Sequence, residues 1–222
     1  MKDNLSSLLR IRNMSNGDAA MYFYGEIVSS WWDTWDSADK YPEAIRRALE
    51  GLTGQTLHIY INSPGGAVFA GIAIFNMLRR YEGRKVVHVD GVAASIASVI
   101  AMAGDEIVMP ENTELMIHLP SAYAAGNAEE LRGMAEALDR VTEAIMATYT
   151  ARLRSPEDAE KVRWLMEKET YLSAKEAAAL FNGITVAAPL EMVARVKDAD
   201  KIFGAAVENE RLRLLDLNSK TI

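Results

Sequence analysis

The sequence predicts an α/β fold of repeated βα units around a largely parallel sheet, with a protruding long helix. Three observations carry this reading. Between residues 55 and 120, short β-rich runs alternate with longer helical ones, as βα units require. Residues 91–104 read G-V-A-A-S-I-A-S-V-I-A-M-A-G, without charge, and are too short to span a bilayer; this is the mark of a buried helix. Residues 126–153 place Leu131, Met134, Leu138, Val141, Ile145 and Met146 at helical spacing over a much greater length.

Taken in order, residues 19–28 predict a strand with a break at Gly25. Trp31, Trp32 and Trp35 then cluster, as a loop that covers the core edge or as an interface or substrate rim. Asp39 to Gly51 predicts a helix, with Pro42 in its first turn and Ala44, Ile45, Ala48 and Leu49 on one face. Leu57 to Asn62 predicts a strand, followed by Ser63-Pro64-Gly65-Gly66 and a helix from Ala67 to Arg80. Lys85 to Asp90 predicts a strand that ends at Gly91, where the buried helix begins. Glu106–Pro110 and Glu114–Leu119 predict short strands, and the long helix comes after them. Ser155-Pro156-Glu157-Asp158 predicts a capped helix start, and Ser173-Ala174-Lys175-Glu176 a capping box whose helix ends near Gly183. Residues 190–218 predict a charged, helical tail.

A chain of 222 residues suits one domain with appendages. The boundaries expected are 1–188 for the domain, with 1–18 as an N-terminal extension, and 189–222 for the tail. A net charge of −7 without a basic run argues against a nucleic-acid partner. The absence of cysteine excludes disulfides, thiolate metal sites and a cysteine nucleophile. No apolar leader or membrane span is evident, so the expectation is a cytoplasmic protein with no membrane partner, no cofactor and no metal.

Functional groups in such sheets gather at the carboxyl ends of strands. Ser63–Gly66, Gly91–Ser95 and His118 all fall there. His58 and His88 lie inside strands and read as structural. Ser95 stands near a helix start, where N–H groups lack internal partners and can hold an oxyanion. A serine nucleophile needs a base, and imidazole alone titrates naturally near neutrality, which points to His118. A third group, Asp or Glu, should orient that ring; Glu167 and Glu169 both qualify by position.

The motifs I-N-S-P-G-G at 61–66, G-V-A-A-S-I-A at 91–97, M-I-H at 116–118 and Y-L-S-A-K-E-A at 171–177 occur in this order. Together they resemble the Clp protease proteolytic subunit family of serine peptidases, over roughly residues 20 to 185. The resemblance implies a fold shared with the crotonases, Ser95 as nucleophile, His118 as general base and Glu169 as the acid, where the family uses Asp. It implies an oxyanion hole from the N–H groups of Gly66 and Ile96. It further implies self-association into stacked rings with the long helix at the ring-to-ring contact, protein or peptide substrates, and a triad that can rest out of alignment.

The tryptophan segment, the G-x-A-A-S-x-A-S-V-I-A-M-A-G-D core and Gly126-Asn127-Ala128-Glu129 resemble the phage and prophage branch, the head maturation proteases that cut capsid or scaffold proteins. Residues ahead of Tyr22 do not resemble the segment that meets an AAA+ ATPase ring, and Val186 stands where the family carries an acid. The readings are, in order, a head maturation endopeptidase, an ATPase-fed degradative subunit, a non-proteolytic assembly protein with an idle triad, and an acyl-CoA enzyme of the crotonase type.

Overall fold

The computed structural model describes residues 12–14, 17–29 and 42–189. The tryptophan segment, most of the N-terminal extension, the start of the helix expected from Asp39 and the expected tail helix lie outside the described residues.

The strands are β1 (Arg12–Asn13), β2 (Ala19–Tyr24), β3 (Leu57–Ser63), β4 (Lys85–Ala94), β5 (Glu106–Pro110), β6 (Glu114–Ile117), β7 (Thr170–Ser173) and β8 (Ile184–Ala187). Between them run α1 (Pro42–Glu50), α2 (Val68–Arg80), α3 (Ile96–Ala101), α4 (Ala128–Thr150), α5 (Ala159–Glu167) and α6 (Ala174–Leu180). The sheet order is β1-β2-β3-β4-β5-β8, with β6 paired to β4 and β7 to β6. Among the described strands, β1 pairs antiparallel with β2 and β7 with β6, and the other pairings are parallel. The architecture is the mixed α/β, mainly parallel one that the alternating pattern predicts.

Strand alternation places Met21 and Phe23, Ile59 and Ile61, Val87 and Val89, and Ile107 and Met109 on one face. They join Ile74 and Leu78 of α2 and Ile96 and Ile100 of α3 in one apolar core. The alternate residues Tyr22, Tyr60 and His88 are half-buried and stack, at ring separations of 4.8 and 4.7 Å. His58 continues the stack at 5.3 Å, and its Nδ1 lies 3.0 Å from His88 Nε2. Both histidines therefore have structural partners, as their place within strands suggests. Burial, and His58 nearby, hold the His88 imidazole below its ordinary pKa.

The strand expected to stop at Asp90 instead runs on to Ala94, and the helix is confined to residues 96–101. The cause is a change of partner. Val86 to His88 pair with β5, whereas Val92 to Ala94 pair with β6. Small residues suit this crowded crossing, and the apolar run reflects burial common to strand and helix, which periodicity cannot separate. At 156–158 a 3₁₀ turn precedes α5, and Ser155 makes no side-chain cap. The capping box at Ser173 is present, with Ser173 and Glu176 satisfying each other's backbone N–H groups. The long helix spans 128–150 rather than 126–153, opened by an Asn127–Glu130 capping box. Its residues 128–136 are all exposed, and burial begins only at Thr142.

Candidate functional site

Three parallel neighbours, β3, β4 and β6, end side by side: Ser63 is level with Ala93, and Ala94 with Met116. The segments immediately beyond these strand ends form the site. After β3 the chain turns through Gly65 and Gly66, at φ 98° and 140°. Ser63 Oγ donates to the Gly25 carbonyl at 2.7 Å and accepts from Gly65 N–H at 3.2 Å, which closes the turn. Gly65 has no room for a side chain, since a Cβ there would stand 2.6 Å from Ser95 Cβ and 2.8 Å from the Ala94 carbonyl oxygen. Gly66 forms a parallel bridge with Ile27. The flanking groups make its bonds: Ile27 N–H donates to the Gly65 carbonyl, and Ala67 N–H to the Ile27 carbonyl, both at 2.7 Å.

After β4 comes Ser95 at φ 55° and ψ −128°, a conformation that non-glycine residues rarely adopt. Such strain costs of the order of 1–3 kcal/mol and is held by surrounding bonds. Here Ser95 N–H donates to the Met116 carbonyl at 2.9 Å, and the Ser95 carbonyl accepts from Ser98 N–H at 3.0 Å. The sharp turn from strand to helix presents the hydroxyl, in the manner of a nucleophile elbow. Ile96 is the first residue of α3, so its N–H has no acceptor within the helix.

After β6 comes His118. Its Nε2 lies 2.6 Å from Ser95 Oγ. With the ring proton on Nδ1, Nε2 accepts the Oγ–H, the arrangement by which imidazole activates an alcohol. The structure thus brings Ser95 and His118 together, with Ile96 in the same small cavity; Gly66 follows Gly65, the residue that packs against Ser95.

Glu169 is placed differently. In the β6–β7 ladder Ile117 faces Thr170, so His118 and Glu169 occupy the next opposed positions. Yet Glu169 has φ 48°, its side chain is exposed, and among the described residues no hydrogen bond joins it to His118. Glu167, the other carboxylate that spacing allows, is also exposed at the end of α5.

Two groups at the site escape a motif-based reading. Ser98 Oγ donates to the Ser95 carbonyl at 2.5 Å and lies 2.7 Å from the buried Tyr149 hydroxyl. The signal available in the sequence is a second serine, three residues after the first, in an otherwise apolar run. An apolar groove of about 520 Å³ lies alongside, between Val68 and Phe69 at the start of α2, Pro120 and Ala122, and Met134 and Leu138 of α4. A small cavity of about 10 Å³ touches Ser95 and His118 and shares Val68 and Pro120 with the groove. A larger cleft, about 630 Å³, is walled by Arg46, Arg80 and Glu82 and contains none of these residues. Among the described residues no cluster of His, Cys, Asp or Glu could hold a metal ion. Nor is any described helix long and apolar enough to cross a membrane.

Comparison with known proteins points the same way. The chain is 33% identical over 126 residues to an ATP-dependent Clp protease proteolytic subunit of Deinococcus radiodurans, covering 55% of this chain and 60% of that one. It is 34% identical over 133 residues to one of Ligilactobacillus salivarius, covering 58% and 66%, and 32% identical over 124 residues to one of Chlorella vulgaris, covering 54% and 60%. The chain spans less than two thirds of the length of these relatives. The Clp protease family profile matches residues 47–184, more than half of the sequence and all of the strand ends described above, so the chain belongs to the Clp protease family.

Proposed function

We propose that the protein is a serine endopeptidase in which Ser95 attacks a peptide carbonyl and His118 takes the hydroxyl proton, then returns it to the leaving amine. The observation that carries this is the 2.6 Å approach of Oγ to Nε2 at adjoining strand ends. The tetrahedral oxyanion is held by the N–H groups of Gly66 and Ile96, and water releases the acyl group from Ser95. The apolar groove beside Ser95 accepts an extended, apolar stretch of substrate. Glu169 is the acid that orients His118 in the working enzyme. The ladder supports this by setting the two residues opposite each other, and a change at the left-handed Glu169 would swing its carboxylate inward.

The peptidase domain is 1–188, with 189–222 as a separate tail; subunits self-associate into rings, and the long helix α4, exposed over its first residues, makes the contact between stacked rings. Two readings of the biological role stand. The motifs of the sequence favour processing of capsid or scaffold proteins in phage head maturation. The names of the relatives favour a proteolytic subunit fed by an ATPase. ATP-dependent degradation of a folded substrate with an added AAA+ partner selects the second, and cleavage of a capsid precursor without ATP selects the first.

The chemistry is tested with a fluorophosphonate probe and a peptide substrate. The wild-type protein is expected to be labelled at Ser95 and to cleave. Ser95→Ala is expected to do neither while melting as the wild type does, and Glu169→Gln to lose at least about tenfold in kcat. Peptidase activity that survives in Ser95→Ala refutes the assignment.

A further inference from the structure

Ser98 and Tyr149 lie outside the triad and the oxyanion hole, yet their hydroxyls form a directed chain that ends on the nucleophile's own backbone. The Ser95 carbonyl can only accept, so the single hydroxyl proton of Ser98 is committed to it at 2.5 Å. Ser98 Oγ must then be the acceptor in its 2.7 Å contact with Tyr149, and the Tyr149 hydroxyl is the donor. The sequence of donations is Tyr149 to Ser98 to the carbonyl of Ser95, and Ser98 N–H adds a second bond to the same oxygen at 3.0 Å. Ser98 is fully buried and Tyr149 almost so, and water does not compete with these bonds. The Tyr149 ring is fixed in turn against Phe181, with centroids 5.8 Å apart.

The Ser95 carbonyl and the Ile96 N–H belong to one peptide unit. That unit is planar and trans, so the two groups point in opposite directions and rotate together. Anchoring the oxygen therefore aims the N–H. Ser95 sits at φ 55° and ψ −128°, a strained pair that surrounding bonds must hold, and ψ is the angle that turns this peptide unit, so the anchor has work that a regular helix start would not require. Bonds in series also polarise one another, and a carbonyl that accepts two donors makes its amide N–H a stronger donor.

We propose that Tyr149 and Ser98 are positioning residues that orient the Ser95–Ile96 peptide, so that the Ile96 N–H meets the oxyanion as it forms. The inference rests on the serine-peptidase reading of Ser95. It also has a structural consequence that stands without that reading: the long helix α4, which carries Tyr149, is tied to the elbow through this chain of bonds.

The test compares Tyr149→Phe, Ser98→Ala and the double variant with the wild type. Substrate binding and the developing oxyanion are read separately, by KM and by the affinity of a peptide aldehyde that forms a tetrahedral adduct on Ser95. Loss of a direct oxyanion donor costs about 10²–10³ in rate; loss of a group that aims one is expected to cost about tenfold in kcat and in aldehyde affinity, with KM unchanged. The double variant is expected to be no worse than Ser98→Ala, since the two act in series. Equal losses in KM and aldehyde affinity, additive losses, or an unchanged kcat overturn the proposal.

A second readout does not need turnover. Ser95-Ile96 is the only Ser-Ile pair in the sequence, so carbonyl-labelled serine with ¹⁵N-isoleucine gives a single amide signal. That signal is expected to shift in Tyr149→Phe; an unmoved signal overturns the proposal even if the protein proves inactive. An unlabelled Ser95 in wild type beside a shifted amide signal refutes the peptidase reading alone.

Discussion

The residues that matter most at this site are held in backbone conformations their neighbours enforce. Gly65 is the clearest case. At φ 98°, with the Ser95 side chain and the Ala94 carbonyl where a Cβ would go, any added side chain forces its surroundings to move. Gly65→Ala must shift the turn that carries Gly66, and the N–H of Gly66 shifts with it. The expected result is a fall of about 10²-fold in fluorophosphonate labelling, comparable to removing an oxyanion donor, in a protein that still folds. Labelling at the wild-type rate would show that the turn can move without disturbing the site. Glu169 illustrates the converse. Its place in the chain sets it opposite His118, but one left-handed φ value sends its carboxylate to the surface. Motif spacing locates a backbone position and is silent about a side-chain direction.

Among the elements, α2 and α3 pack too closely for ordinary side chains. Gly71 in α2 lies against Ile96, and a Cβ there would collide with Ile96 Cγ1. Alanine normally favours a helix interior over glycine by about 1 kcal/mol. Gly71→Ala is nevertheless expected to destabilise by about 1–3 kcal/mol through overpacking, and to slow labelling of Ser95 because Ile96 is the residue displaced. A raised melting temperature would show that the two helices can separate at little cost. Lys85 performs a similar joining role at the other end of α2. Almost wholly buried, it donates to the carbonyls of Tyr81 and Gly83 and pairs with Asp105 at 3.1 Å, so its charge is satisfied where the helix leaves carbonyls free.

Across the sheet, the stacked Tyr22, Tyr60, His88 and His58 couple three strands to pH. His88 is held neutral by burial, with His58 against it and Asp90 and Glu106 in partial opposition. Its folded-state pKa lies below the ordinary 6.5, so between those two values the unfolded chain binds the extra proton. Stability is therefore full above about pH 6.5 and declines as pH falls through that window. Thermal melts from pH 7.5 to 5 should show a steeper loss in the wild type than in His88→Gln, which does not titrate. Parallel curves would remove His88 from the account.

The primary structure alone determined the βα alternation, the order of the strands' residues in the chain and the pairing of a serine with a histidine at strand ends, because these stem from hydrophobic period, turn chemistry and motif spacing. It could not separate strand from helix over residues 91–104, since both are buried there and only the pairing of Val92 to Ala94 with β6 decides. Nor could it place Tyr149 beside Ser98, 51 residues earlier. That contact exists because α4 returns across the elbow, and hydrogen bonds between distant segments are made by packing, which no local pattern records.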